Sequence, residues 1–154
     1  MNLARVALAA VAAWVLYLSI SFVVHGILLR DLYMQYTGVM RPEAEASGIL
    51  PIGFAFALVG VFAFAYAYAK GYEGGSGLLE GLRFGVLVGI LLCAFGSIWE
   101  YMVWPVGKRL LVAWLVDHIA EFAIYGMVVG PIYKPQAQSS RLQAQDSRLK
   151  HDLP

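Results

Sequence analysis

Long apolar segments separated by short polar stretches dominate the sequence. Four segments are long enough to cross the hydrocarbon core of a bilayer, which takes about 20 apolar residues. They lie at about residues 6–29, 49–69, 78–104 and 110–132. A backbone in lipid must satisfy its own hydrogen bonds, so each segment is expected to be an α-helix. The pattern predicts an all-α, integral membrane four-helix bundle at residues 1–135 and a polar, disordered tail at residues 136–154.

The composition supports a membrane protein. Hydrophobic residues make up 60% of the chain, charged residues 14%, and the mean hydropathy is +0.69. Soluble domains have about 45–50% apolar and about 25% charged residues. A net charge of +1 argues against a nucleic-acid partner, which requires a concentrated basic face. The sequence contains no CxxC pair, glycine-rich phosphate loop or GxSxG elbow, so no enzymatic activity is predicted.

The distribution of Lys and Arg predicts the orientation in the membrane. With four spans, both termini and the loop at residues 71–77 share one side. That side carries Arg5, Lys70, Arg83, Lys134, Arg141, Arg148 and Lys150. The other side carries Arg30, Arg41, Lys108 and Arg109. The positive-inside rule therefore predicts a protein of the cell membrane with both termini in the cytoplasm.

Small residues recur at every fourth position of the third segment. They are Gly81, Gly85, Gly89, Cys93 and Ser97. This spacing lets helix backbones approach one another closely. On the fourth segment, Gly126 and Gly130 lie roughly opposite Asp117 and are expected to form a second close-packing surface. That surface indicates a homo-oligomer or a subunit of a larger membrane complex.

Ionisable residues interrupt the apolar segments, and they are candidates for a polar pocket. They are His25, Glu100, Asp117, His118 and Glu121. A charged side chain at bilayer depth costs about 2.5–3.5 kcal/mol, so such residues are expected to face protein. At about 100° per residue, Glu100 shares the arc of Gly89 on the third helix. Trp114, Asp117, His118, Glu121 and Tyr125 share an arc of about 100° on the fourth helix. The sequence therefore predicts convergence in the outer half of the bundle, with His25 at the edge.

The charge of this pocket allows several interpretations. Asp117 and Glu121 are one turn apart, where like charges repel, and three carboxylates outnumber two histidines. The carboxylates are then expected to retain protons, to hold a cation or polar solute, or merely to lock the bundle by hydrogen bonds. No cofactor is predicted. A metal ion held by Glu100, Asp117, His118 and Glu121 is an alternative, although bundles with such sites usually carry two Glu-x-x-His motifs.

Two functional hypotheses follow from these features. The first is a non-enzymatic accessory subunit or homo-oligomeric membrane protein, which has the lipid bilayer and other membrane proteins as partners. The alternative is a protein that handles a small solute, protons, a lipid or a metal ion through the carboxylate and histidine pocket.

The connection at residues 30–48 is polar but patterned. Leu32, Tyr33, Tyr36, Val39 and Met40 alternate with polar residues, as in a short helix lying at the membrane interface. This segment either covers the mouth of the bundle or merely joins two spans. Tyr33 and Tyr36, with Trp99, Tyr101 and Trp104, are expected to belong to an aromatic belt.

Short sequence phrases resemble those of small, uncharacterised bacterial membrane proteins with four helices. The phrases are YAKGYEG at residues 68–74, GLRFG at 81–85, EYMVWP at 100–105 and IYKP at 132–135. The resemblance covers about residues 1–135 and concerns architecture more than diagnostic motifs. It implies a bacterial inner-membrane protein, and it transfers no catalytic residue to this chain.

Overall fold

The computed structural model of the protein describes residues 1–134, and helices are its only regular elements there. Helix α1 (Leu3–Ser21) continues into a first π segment (Phe22–Leu28), followed by the single turn α2 (Arg30–Tyr33) and a 3₁₀ turn (Met34–Tyr36). Helix α3 spans Glu43–Gly71. Helix α4 (Gly77–Leu92) continues through a second π segment (Cys93–Ser97) into α5 (Ile98–Val103), and α6 spans Lys108–Tyr133. The predicted tail at residues 136–154 lies outside the described residues.

Four continuous helical stretches within residues 1–134 are long and apolar enough to cross a membrane. They are Leu3–Leu28, Glu43–Gly71, Gly77–Val103 and Lys108–Tyr133. The predicted all-α architecture with four candidate spans is thereby confirmed. The second stretch begins at Glu43, six residues before the predicted apolar segment at 49. Its first turn carries Glu43 and Glu45, whose negative charges favour a helix N-terminus.

The apolar core occupies the half of the bundle in which α1 begins and α3 and α6 end. Helix α1 packs between α3 and α6, and α4 packs along α6. Ala9, Ala10 and Ala13 of α1 are completely buried, so small side chains bring α1 close to its neighbours. Phe64 of α3 packs there against a tilted ring of α4 and edge-on against a ring of α6. The opposite half of the bundle contains the polar residues considered below.

Helices α4 and α6 touch at backbone distance. A Cβ added to Gly81 would collide with the carbonyl of Gly126, and one added to Gly77 would lie 2.7 Å from the carbonyl oxygen of Gly130. Gly85 likewise faces the backbone of α6. Gly126 and Gly130 do form a close-packing surface, but it is covered within the chain and is not available to a second copy or another subunit. These two glycines lie against α4 of the same chain because the small positions of both helices are in register.

The second π segment keeps the small-residue stripe on one face of its helix. Four residues of an α-helix turn about 400°, so a four-residue repeat drifts by about 40° each time. In a π turn the i→i+5 hydrogen bonds enclose one more residue than in an α turn. Each residue therefore rotates the helix by a smaller angle, which offsets the drift. Cys93 and Ser97 consequently stay buried like Gly89. The same shift rotates Glu100 away from the stripe, and its side chain is exposed, contrary to the expectation that it faces protein.

The contact between α4 and α6 predicts that Gly81→Ala destabilises the protein. Overpacking against a backbone typically costs about 1–3 kcal/mol, which exceeds the gain of up to about 1 kcal/mol that alanine brings to a helix. We expect a net loss of about 1 kcal/mol or more. The measurement is unfolding in detergent micelles, followed by circular dichroism.

Gly60→Ala is the matched control. Gly60 lies within helix α3, and a Cβ there meets no other described atom within 4 Å. This variant should be as stable as the parent or slightly more stable. Equal effects of the two substitutions would contradict a tight contact at Gly81.

Candidate functional site

Helix α6 buries two carboxylates and a phenol at successive turns of one face. Asp117, Glu121 and Tyr125 are 7%, 5% and 1% exposed. Their four-residue spacing places them above one another on the helix. The glycines of α6 face α4, so this polar face is turned towards α1. The carboxylates lie beyond the apolar core, in the half of the bundle that contains the first π segment.

The first π segment brings His25 to this face. Its Nε2 lies 3.3 Å from Oδ2 of Asp117, and the two side chains are 39% and 6% exposed. His25 thus reaches from the surface of the bundle to a carboxylate that is itself buried. π turns are rare and are found preferentially at functional sites. The helix here adopts the geometry that aims an imidazole at Asp117.

A hydrogen-bonded chain fixes the orientation of His25. Trp114 Nε1 donates to the hydroxyl of Tyr33 at 3.1 Å, and that hydroxyl lies 2.7 Å from Nδ1 of His25. An indole can only donate, so the Tyr33 oxygen accepts from Trp114 and its proton is directed to Nδ1. The remaining proton of the neutral imidazole is then on Nε2, facing Asp117. Burial raises the pKa of Tyr33 and keeps its hydroxyl a donor.

The connection between α1 and α3 covers the end of the site. Tyr33 of α2 makes the contacts just described, and Tyr36 accepts a hydrogen bond of 3.0 Å from the backbone of Gly107. Both tyrosines, assigned to an aromatic belt by sequence, bond to groups of this chain. No helical period could have revealed the role of Tyr33, because the chain turns at Leu29 between it and His25.

Several buried polar atoms of the site have no aligned partner among the described residues. They are Oδ2 of Asp117, Oε1 of Glu121 and the hydroxyl of Tyr125. Nε2 of His25 is within ion-pair distance of Asp117 but is not aligned for a hydrogen bond. Most buried polar atoms in proteins are bonded, and leaving one unpaired costs about 1–3 kcal/mol. Because His25 lies beside Oδ2 of Asp117, this cost falls chiefly on Glu121 and Tyr125, which are neighbours one turn apart.

His118 and Glu100 lie apart from this cluster. His118 Nδ1 is 2.8 Å from the hydroxyl of Ser97, on the side of α6 that faces the second π segment. The side chain of Glu100 is exposed and forms no ion pair or hydrogen bond with the described residues. Of the predicted pocket residues, the structure therefore brings together His25, Asp117 and Glu121. Trp114 and Tyr125, which share their arc on α6, accompany them, and Tyr33 joins them.

A metal ion gains no support from this arrangement. Within residues 1–134, no group of three His, Cys, Asp or Glu side chains is placed to hold one. The four predicted donors are divided: Asp117 and Glu121 face α1, His118 faces the second π segment, and Glu100 is exposed.

Comparison of the chain with protein-family models, with curated proteins and with solved structures finds no match. The resemblance described above therefore stays an expectation.

The bonds of Tyr33 predict that Tyr33→Phe loosens the connection at residues 29–40. The substitution removes the hydroxyl that joins Trp114 to His25, and losing one such bond costs about 0.5–1.5 kcal/mol. We expect faster amide hydrogen exchange in that segment and an altered emission of Trp114.

Tyr66→Phe serves as the control, because Tyr66 is exposed and its hydroxyl forms no hydrogen bond among the described residues. Unchanged exchange in Tyr33→Phe would show that the chain of donors does not hold the connection in place.

Proposed function

We propose that the protein is a multi-pass membrane protein that binds and releases protons at Asp117 and Glu121. One observation carries this proposal: two carboxylates are buried one turn apart in a bundle of apolar helices, at 7% and 5% exposure. Among residues 1–134, His25 is the single basic side chain within ion-pair distance of either carboxylate.

The charge balance of the site favours proton binding. Two ionised carboxylates beside one protonated imidazole leave an uncompensated negative charge, and a buried ion costs several kcal/mol. A proton bound to Glu121 removes that charge without moving any helix. Oε1 of Glu121 has no hydrogen-bond partner among the described residues and is the atom available to accept it. Ionisable groups inside membrane proteins commonly serve proton transfer.

His25 offers a path between the site and the surface. Its side chain is partly exposed, whereas Asp117 is almost completely covered. An imidazole can take up a proton at one nitrogen and release one from the other. Exchange at His25 would therefore deliver protons to Asp117, and Glu121 lies one turn further into the bundle.

The surface that supported an accessory or homo-oligomeric role is covered within the chain. That role depended on Gly126 and Gly130 as an outer contact surface, and α4 covers both of them. No other described feature favours a particular protein partner. The polar site, in contrast, contains buried carboxylates that the packing of apolar helices does not require.

We infer from the distribution of Lys and Arg that both termini lie in the cytoplasm. The end of the bundle formed by α2, the start of α3 and the loop before α6 then faces the opposite side. In that orientation His25 exchanges protons with the compartment outside the cytoplasm.

The proton-binding proposal predicts a protonated carboxylic acid inside the protein at neutral pH. In infrared spectra of the protein in lipid, its carbonyl band should be present in the parent and absent in Glu121→Gln. Asp117→Asn should shift the band, because it removes the neighbouring charge.

Glu73→Gln provides the control, since Glu73 is an exposed carboxylate outside the candidate spans. It should leave the band unchanged. A parent without any carboxylic-acid band near neutral pH, or a band that persists in Glu121→Gln, would refute proton storage at this site.

The orientation can be tested by cysteine labelling. In a Cys93→Ser background, we expect a membrane-impermeant maleimide added to intact cells to label Ser47→Cys but not Ser76→Cys. Both positions are exposed at opposite ends of the candidate spans. Labelling of Ser76→Cys without Ser47→Cys would reverse the assignment.

A further inference from the structure

A partly open cavity of about 610 Å³ lies between the first π segment, α2 and the start of α3. Its size is within the range of about 300–1,000 Å³ typical of small-molecule sites. The lining is mainly apolar and includes Met34, Met40 and Ala46. His25 and Tyr33 also line it, so one wall of the cavity belongs to the polar site described above.

Two arginines give the cavity a basic character. Arg30 and Arg41 both line it, with Glu43 as the one acidic residue of the lining. Arg41 is 3.3 Å from Glu45 in an exposed ion pair. Arg30 has no carboxylate within ion-pair distance among residues 1–134. The cavity therefore combines apolar walls with an arginine whose charge is not compensated.

We propose that this cavity binds an acidic membrane lipid, with its phosphate on Arg30 and Arg41 and an acyl chain on the apolar wall. Arginine is well suited to phosphate because its planar fork donates two parallel hydrogen bonds. Met34 and Met40 are flexible and polarisable, which suits contact with a mobile chain.

The position of the cavity supports a lipid over other occupants. It lies where two candidate spans end and begin, at residues 28 and 43, which is where lipid headgroups meet a membrane protein. A soluble anion would leave the apolar walls uncovered. A lipid without net charge would not compensate Arg30.

This proposal goes beyond proton binding and does not depend on it. The lipid is recognised by Arg30, Arg41 and the apolar wall, none of which belongs to the carboxylate pair. A variant in which Asp117→Asn and Glu121→Gln are combined should therefore still prefer the acidic lipid, even though it cannot store a proton.

The test uses the full chain in detergent with equal amounts of phosphatidylglycerol and phosphatidylcholine, and native mass spectrometry counts the lipids retained. We expect phosphatidylglycerol to be retained about thirtyfold over phosphatidylcholine, since two basic residues near a membrane together contribute about 2 kcal/mol and about 1.4 kcal/mol is a factor of ten. Combining Arg30→Gln with Arg41→Gln should bring this ratio close to one.

Matched controls separate the cavity from general electrostatics. The pair Lys108→Gln and Arg109→Gln removes the same charge at the same end of the bundle without touching the cavity lining, and should keep the preference. Ala46→Trp fills the apolar part and should reduce retention of both lipids. Circular dichroism checks that every variant keeps its helix content.

Several outcomes would overturn the proposal. One is equal retention of the two lipids by the parent. Another is a loss of the phosphatidylglycerol preference in the Lys108 and Arg109 control that equals the loss in the Arg30 and Arg41 variant. Full displacement of the lipid by inorganic phosphate would identify a soluble anion as the ligand. Preference for free oleate over phosphatidylglycerol would identify a fatty acid instead.

Discussion

The approach of α4 to α6 at backbone distance is the constraint on which the rest of the bundle depends. Helices in lipid gain no hydrophobic energy from meeting each other, so close packing of small residues must hold them together. Gly81 and Gly126 meet at one such point, and the contact continues along both helices. Because α4 occupies the glycine face of α6, the face with Asp117 and Glu121 is left for α1.

The two π segments adapt straight helices to this arrangement. The second keeps Ser97 on the buried stripe, where its hydroxyl meets His118. The first ends α1 and directs His25 towards Asp117 on the other side of α6. Asp117 and His118 are neighbours on α6, and they thus contact segments on opposite sides of α6 at the same depth. The hydrogen bond between Ser97 and His118 adds to the backbone contact, which extends to this level where Gly89 faces His118.

The sequence predicted the helices well and the site only in part. Apolar length identified the spans because a backbone in lipid has almost no alternative to a helix. The burial of Asp117 and Glu121 followed from their spacing on one uninterrupted helix. Glu100 was misplaced because a π turn, which has no clear sequence signal, lies between it and Gly89. Gly126 and Gly130 were on the expected face, but pattern alone could not tell which helix covers them.

His25 connects the two sites proposed for this protein. One of its nitrogens faces Asp117, and the other accepts from Tyr33, which lines the cavity together with His25 itself. An acidic lipid in the cavity and an ionised Asp117 would lie on either side of the same imidazole, and both would stabilise a positive charge on it. A proton bound to Asp117 removes the negative charge on one side, so the proton and the lipid favour opposite charge states of His25, and their linkage is reciprocal. An acidic lipid in the cavity would lower the affinity of Asp117 for its proton, and a proton on Asp117 would lower the affinity for the lipid by the same factor.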